Sequence, residues 1–407
     1  MVQGRARCRC ADTLLPKEPQ AAMSSTTTPP STQRKIPLCV ADLGEEEIRA
    51  VSDVLRSGWL AHGPANHEFE ELFAKYLGVP YCVSLNSCAS ALFLAVHANN
   101  IKGEVILPSF TFVASANAVA AAGAQCKLVD VDYDTCNINV DAVEAAITPR
   151  TEAIMPVHYA GQAADMEKLA QLAAKKKLLL IEDSAEAIGA EINGKRTGRW
   201  GIGCFSFYPT KNITTGEGGM FTTTDQALAD KARAIGGHGI MSTTFAREKK
   251  ERPWLRAATY AGFNFRMSSV LAALGVVQMK KVDRLNDARR VASAQLNTLL
   301  DKNFFDLPVE RPGYKHVYQM YTVKTKGLDR TKFLEKMRAL GIGATVHFDP
   351  PVHQQPFYEA YGKGADLKVT EQIAACIATL PMYPGLTEDD VRYMAKSANA
   401  AAQESRK

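Results

Sequence analysis

"DMEKLAQLAAKKKLLLIED", residues 165–183, changes its rhythm partway along, and that change decides the fold. Residues 165–177 read as a helix, whereas "KLLLIED" (177–183) is a short, continuous aliphatic run of the kind that fills a strand buried on both faces. The same alternation extends in both directions. "EVILP" (104–108), "CKLVDVD" (126–132), "AIMPVH" (153–158) and "GCFSFYP" (203–209) read as strands. "SANAVAAAG" (115–123) and "VDAVEAAI" (140–147) read as the helices between them. Strands alternating with helices predict an α/β architecture with a mostly parallel sheet covered on both faces. "GGMFTTTD" (218–225) adds a strand, and a helix is expected from Asp225 to about Ile235.

Two helices precede this region. "LGEEEIRAVSDVLRSG" (43–58) places Ile48, Val51 and Leu55 on one helical face, with three glutamates in the first turn, where the helix dipole favours them. "HEFEELFAKYLG" (67–78) turns Phe69, Leu72, Phe73 and Tyr76 inward and stops at Gly78. Residues 240–262 are irregular and charged and read as an active-site flap. A long helix is expected over about Ser268 to Leu300. Beyond it "VYQMYTVKT" (317–325) and "ATVHF" (344–348) read as strands and "DRTKFLEKMRALG" (329–341) as a helix, which together make a smaller α+β unit. The expected division is a tail over 1–35, a large domain over 36–280 and a small C-terminal domain over 281–407.

The tail differs from the rest. "SSTTTPPSTQ" (24–33) has too few apolar residues to order itself, and "MVQGRARCRC" (1–10) weakly resembles an import signal. The whole chain has 407 residues, 46% of them hydrophobic, which allows a sizeable core. A net charge of +5 without a long Lys/Arg block gives no nucleic-acid footprint, and no apolar run reaches bilayer length. Nine cysteines are scattered without paired metal spacing, which fits a reducing, cytoplasmic setting and no metal centre.

Ligands of open parallel sheets gather at the carboxyl ends of strands. Asp183, His158 and Lys211 fall at such ends. Each has a plain structural reading: a cap for a helix beginning "SAEAIG", a satisfied core histidine, a turn lysine. Together, a strand-end carboxylate and a lysine in a Gly/Ser/Thr-rich turn are what pyridoxal 5′-phosphate requires. The amine forms a Schiff base, the carboxylate keeps the pyridine nitrogen protonated, and hydroxyl and backbone N–H groups hold the phosphate.

Six segments then carry a resemblance. They are "GPANHEFE" (63–70), "PSFTFVASANAV" (108–119), "EDSAEAIGA" (182–190), "SFYPTKNITTGEGG" (206–219), "GFNFRMSSVLAALGVVQM" (262–279) and "HFDPP" (347–351). In their kind and order the chain from about Ile36 to Met394 resembles the DegT/DnrJ/StrS-type aminotransferases, which act on keto sugars attached to nucleotides. The resemblance implies fold type I, with a seven-stranded type of sheet in the large domain, and a homodimer with shared active sites. It implies Lys211 as Schiff-base lysine and proton shuttle and Asp183 as partner of the pyridine nitrogen. It implies Phe112 as the stacking ring, Ser206 as a phosphate ligand, and Asn264 as a residue reaching the neighbouring subunit's phosphate. Two positions depart from the common pattern. Ala89 in "NSCASAL" stands where threonine is frequent, which leaves the phosphate to Ser87 and to the backbone of Cys88 and Ala89. Glu186 stands where glutamine is frequent beside the ring hydroxyl.

His158, His347, His353, Trp59 and Arg266 are further candidates for the border of a substrate site. The implied reaction moves an amino group from L-glutamate to a nucleotide-linked keto sugar and leaves an amino sugar and 2-oxoglutarate. A keto-cyclitol acceptor is the nearest alternative, and a non-catalytic regulatory protein that binds the same cofactor is the alternative of another class.

Overall fold

The expected turn from helix to strand occurs within residues 165–183. The computed structural model describes residues 34–241, 254 and 256–407. The N-terminal "CRC" and most of the expected flap lie outside the described residues. In chain order the structure contains α1 (Glu45–Ser57), α2 (Pro64–Leu77), β1 (Tyr81–Leu85), α3 (Cys88–His97), β2 (Glu104–Pro108), α4 (Ala114–Ala121) and β3 (Gln125–Val129). Then come α5 (Val140–Ala146), β4 (Thr151–Ile154), α6 (Met166–Lys176), β5 (Leu179–Asp183), β6 (Glu191–Ile192), β7 (Lys195–Arg196), β8 (Ile202–Ser206), β9 (Gly219–Thr223) and α7 (Gln226–Gly236). The long helix α8 (Ser269–Leu299) leads to β10 (Phe305–Asp306), β11 (Tyr314–Lys315), β12 (Tyr321–Thr325), α9 (Arg330–Ala339), α10 (Lys368–Cys376), β13 (Ile377–Leu380) and α11 (Glu388–Glu404).

The Asp165 carboxylate accepts from Lys168 N and starts α6, which buries Met166, Leu169, Leu172 and Ala173. Its partner strand β5 is buried from Leu180 to Asp183. The central sheet has seven strands in the order β1-β9-β8-β5-β4-β2-β3. From β3 to β8 the pairing is parallel, and β9 runs antiparallel to both β8 and β1. Strands β2, β8 and β9 are buried along their whole length, as a sheet covered on both faces requires. Beneath one face Phe69 and Phe73 of α2 meet Phe205 and Phe207 at ring separations of 4.9–5.8 Å. Each such ring contributes about 1.5–3 kcal/mol by leaving water. Gly275 of α8 makes this layer fit, because a Cβ there would lie 2.7 Å from the Phe69 ring.

A second core forms around the β10-β12-β13 sheet, with Leu296 of α8, Phe333 and Met337 of α9 and Met394 and Ala398 of α11. Ile36 belongs to this core, bridged to Ile342.

Three local expectations are corrected. The apolar face of α1 is not its buried face: Ile48 and Leu55 are more than half exposed, while Glu47 is buried. Glu47 accepts from Lys281 Nζ at 2.8 Å and Gln278 Nε2 at 2.9 Å, so α1 seats on α8 through charge and hydrogen bonds. "ATVHF" is not a strand, and only Thr345 forms a bridge, to Thr379. "SAEAIG" forms turns rather than a helix, and Asp183 instead accepts from Ala185 N at 3.2 Å.

A buried polar knot ties α2, β1 and α7. Glu70 accepts from Arg233 at 2.9 and 2.7 Å and from Ser84 N and Oγ at 2.8 Å each. Burial works against the Glu70 charge, but the Arg233 guanidinium and His62 prevail and hold its carboxyl down to about 2.

Candidate active site

A cavity of about 520 Å³ opens at the carboxyl ends of β5 and β8. The sheet delivers Asp183 and Ser206 there, because each is the last residue of its strand. The N-terminus of α3 enters from one side. Ser87 caps it by accepting from Ser90 N at 3.1 Å. Cys88 and Ala89 are the first two helical residues, so their N–H groups have no intrahelical acceptor and point out of the helix end. Gly219, the first residue of β9, permits this approach, since a Cβ there would lie 2.3 Å from the Ser87 carbonyl carbon.

Lys211 reaches the cavity from a tight turn. Its N–H donates to Tyr208 O at 2.9 Å, and Pro209 between them fixes one backbone angle of the turn. Thr214 Oγ1 and Thr215 N both donate to Phe207 O, at 2.9 Å each, which folds the following segment back beneath β8. The small residues of "NITTGEGG" therefore serve a closed loop, and Lys211 Nζ emerges from it 3.3 Å from Glu186 Oε1. The other oxygen of Glu186 accepts from Ala160 N at 2.8 Å.

Asp183 is only 4% exposed. Its Oδ2 accepts from Ser115 Oγ at 2.7 Å. Burial pushes its carboxyl above the ordinary carboxylate range, the Ser115 and Ala185 hydrogen bonds oppose that, and nearby Glu186 adds to it. Lys211 also lowers it through its charge, but among the described residues no cationic side chain forms an ion pair with Asp183. A buried carboxylate in this state is completed by a cation that also donates a hydrogen bond, and a protonated ring nitrogen is one. The first-turn N–H groups of α3, with Ser87 and Ser206, form an anion cradle on the same cavity. Phe112 is 58% exposed and lines the cavity, so it is no core residue. Its nearest ring is Phe348, at 5.9 Å. These groups fit a flat, phosphorylated, protonated heterocycle with a carbonyl within reach of Lys211.

Lys211, Asp183, Glu186, Phe112, Ser87, Cys88, Ala89 and Ser206 thus share one cavity. Asn264 does not line it. Asn264 bridges Gly237 and accepts from Arg266 Nε at 3.0 Å on an exposed surface. Cys88 offers its backbone, since burial drives its thiol well above its ordinary value. His347 lines the cavity with Nδ1 3.0 Å from Thr379 Oγ1, and burial pushes it below the ordinary histidine value. His158 lies away from the cavity, fully buried against Glu182 at 3.1 Å. His353 and Trp59 do not line it either: His353 Nδ1 meets Ser109 Oγ at 2.7 Å, and Trp59 Nε1 donates to His62 O at 3.3 Å.

Sequence reasoning did not single out Ser115, Gln319 or Cys39, which also line the cavity. Ser115 carried a usable signal, as a hydroxyl three residues beyond Phe112 at the start of a helix of small residues. Gln319 and Cys39 arrive from distant segments and carried none.

The model of the DegT/DnrJ/EryC1/StrS aminotransferase family matches residues 41–398. The spore coat polysaccharide biosynthesis protein SpsC of Bacillus subtilis is 35% identical over 367 residues, covering 88% of this chain and 94% of SpsC. Among solved structures, DesI in the presence of its TDP-sugar product superposes with a TM-score of 0.80 at 29% identity, covering 89% of this chain and 91% of DesI. The Streptococcus pneumoniae protein Spr1654 in its PLP form gives a TM-score of 0.84 at 25% identity, covering 91% and 99%.

Proposed function

The chain belongs to the DegT/DnrJ/EryC1/StrS aminotransferase family, and from that premise we propose that it moves an amino group from L-glutamate to a nucleotide-linked keto sugar, with pyridoxal 5′-phosphate as cofactor. It is an aminotransferase with a fold type I architecture. The observation that carries the finer reading is the convergence of Lys211, the buried Asp183 and the α3 N-terminus on one cavity.

When bound, the cofactor supplies an electron-withdrawing ring that accepts the electron pair left at the donor's α-carbon. Asp183 would hold the proton on the ring nitrogen, its other contacts being Ser115 and Ala185. The N–H groups of Cys88 and Ala89, with the hydroxyls of Ser87 and Ser206, would hold the phosphate, and Phe112 would cover one ring face. Lys211 Nζ is the attachment point. Once released, it would take the proton from the donor's α-carbon and return it two bonds further along, on the far side of the intervening nitrogen. Glu186 Oε1, 3.3 Å away, keeps the free amine at the site of transfer. Water would release the donor as 2-oxoglutarate with its nitrogen left behind on the cofactor, and the reverse sequence on the keto sugar would pass that nitrogen on and return the water, giving the amino sugar.

The nucleotide-sugar assignment draws support from DesI and its TDP-sugar product and from SpsC in polysaccharide biosynthesis. A homodimer fits the exposed positions of Asn264, Ile48 and Leu55. A cytoplasmic setting fits the seven cysteines among the described residues, all free thiols. No helix among the described residues is long and apolar enough to cross a membrane.

The test is mass-spectrometric scoring of the protein with L-glutamate against nucleotide-linked keto sugars and keto-cyclitols side by side. Aminated nucleotide sugar with stoichiometric 2-oxoglutarate supports the reading. Amination confined to cyclitols, or no 2-oxoglutarate with any acceptor, overturns it.

A further inference from the structure

The long helix α8 grips the loop that carries Lys211. Gln278 Oε1 accepts from Thr214 N at 3.3 Å, and Asn286 Oδ1 accepts from Asn212 Nδ2 at 2.7 Å. Below them lies Arg289, among the largest fully buried side chains of the described residues. Its Nη2 donates to Lys211 O at 3.3 Å, and its Nη1 donates to Asn212 O and Leu285 O at 3.2 Å each.

The setting of this guanidinium is unusual. No carboxylate of the described residues forms an ion pair with it. The groups that favour its charge are Cys39, whose thiol burial holds above its ordinary value, and Asp42, which is itself bound to Arg284 at 2.9 Å. Its Nε is buried without a hydrogen-bond partner. Burial pushes the group down to about 10, still cationic at neutral pH. A buried cation without a counter-charge works against folding, and an apolar side chain of similar length would fill the space more favourably. What the guanidinium has, and an apolar chain lacks, is a rigid fork of donors that spans two successive carbonyls.

We propose that Arg289 is a positioning residue for the reaction at Lys211. Its two terminal nitrogens pin the carbonyls of Lys211 and Asn212, so that Nζ returns to one place each time it is released. This rests on the reading of Lys211 as attachment point and proton carrier. A flexible four-carbon side chain moves a proton efficiently only from a fixed root, and a displacement of about 1 Å lowers such a rate by up to roughly 100-fold. Arg289 does not line the cavity. It trades stability for placement, a pattern found where activity requires an arrangement that folding alone disfavours.

Arg289→Met and Arg289→Lys test this. Two readouts are taken: melting of the cofactor-free protein, and the single-turnover rate of the glutamate half-reaction with protiated and α-deuterated glutamate. Arg289→Met is expected to melt at or above the wild-type temperature, to slow the half-reaction roughly 10- to 100-fold, and to enlarge the deuterium isotope effect. Arg289→Lys should recover only part of the rate, because one ammonium restores the charge without spanning both carbonyls. A wild-type rate and isotope effect in Arg289→Met overturns the proposal. So does a rate loss that accompanies a lower melting temperature with the isotope effect unchanged, which marks a merely structural residue. A wild-type protein inert to glutamate would sink the functional reading, and the proposal with it. That result differs visibly from a working wild type with an indifferent Arg289→Met.

Discussion

Ser115 Oγ lies 2.7 Å from Asp183 Oδ2, and it is the side-chain donor that steadies this carboxylate in a setting that otherwise disfavours its charge. The pair joins the start of α4 to the end of β5 across the floor of the cavity.

Removing that donor should weaken cofactor retention. In Ser115→Ala the Asp183 carboxyl moves further up, because the hydrogen bond that lowers it is gone. A hydrogen bond to a charged group contributes about 1.5–3 kcal/mol. Equilibrium dialysis should show pyridoxal 5′-phosphate binding weakened roughly 10- to 100-fold. Unchanged affinity would remove Ser115 from the account.

Asp183 also sets a pH dependence in the cofactor-free protein. Its folded-state value lies above its ordinary value of 3.8, so the folded protein holds a proton that the unfolded chain releases. The stability it contributes is present at acid pH and is lost as pH rises through the raised value. Asp183→Asn should therefore raise the melting temperature of the cofactor-free protein at neutral pH and flatten that part of the profile, while abolishing turnover. A lower melting temperature at neutral pH contradicts the assignment.

Glu70 gives the opposite sign. Its carboxyl is held at about 2 against an ordinary 4.5, so the stability it contributes is present above 4.5 and is lost as pH falls towards 2. Glu70→Gln leaves Arg233 buried without its partner and should cost about 3–5 kcal/mol at neutral pH. The difference from wild type should shrink below pH 4.5 in denaturant titrations. A constant difference across that range would show that the pair does not control the acid limb.

Glu186 is tested by comparing two substitutions. Glu186→Gln can still accept from Ala160 N and should keep turnover within about tenfold of wild type. Glu186→Ala loses both the Ala160 contact and the hold on Lys211 Nζ and should fall further. Equal losses in the two would place the carboxylate charge, rather than the positioning contact, at the centre of its role.

The sequence made the sheet legible where the chemistry is local. The aliphatic run ending at Asp183 and the turn residues around Lys211 state their conformation within a few positions. Local pattern misled at α1, where Ile48 and Leu55 outline an apolar face. The seating of α1 is set by Lys281 and Gln278, more than 200 positions away, acting on Glu47. "ATVHF" has strand composition, but only Thr345 finds a strand partner, at Thr379. Most of the cavity was readable because strand ends and a helix N-terminus announce themselves. Ser115, Gln319 and Arg289 were not, since what matters about each is a group it meets only after folding.

The most direct measurement is borohydride reduction of the cofactor-loaded protein, followed by peptide mass mapping. A single pyridoxyl group on Lys211, absent from Lys211→Ala together with turnover, is expected. A label on another lysine, or near wild-type turnover in Lys211→Ala, would contradict it.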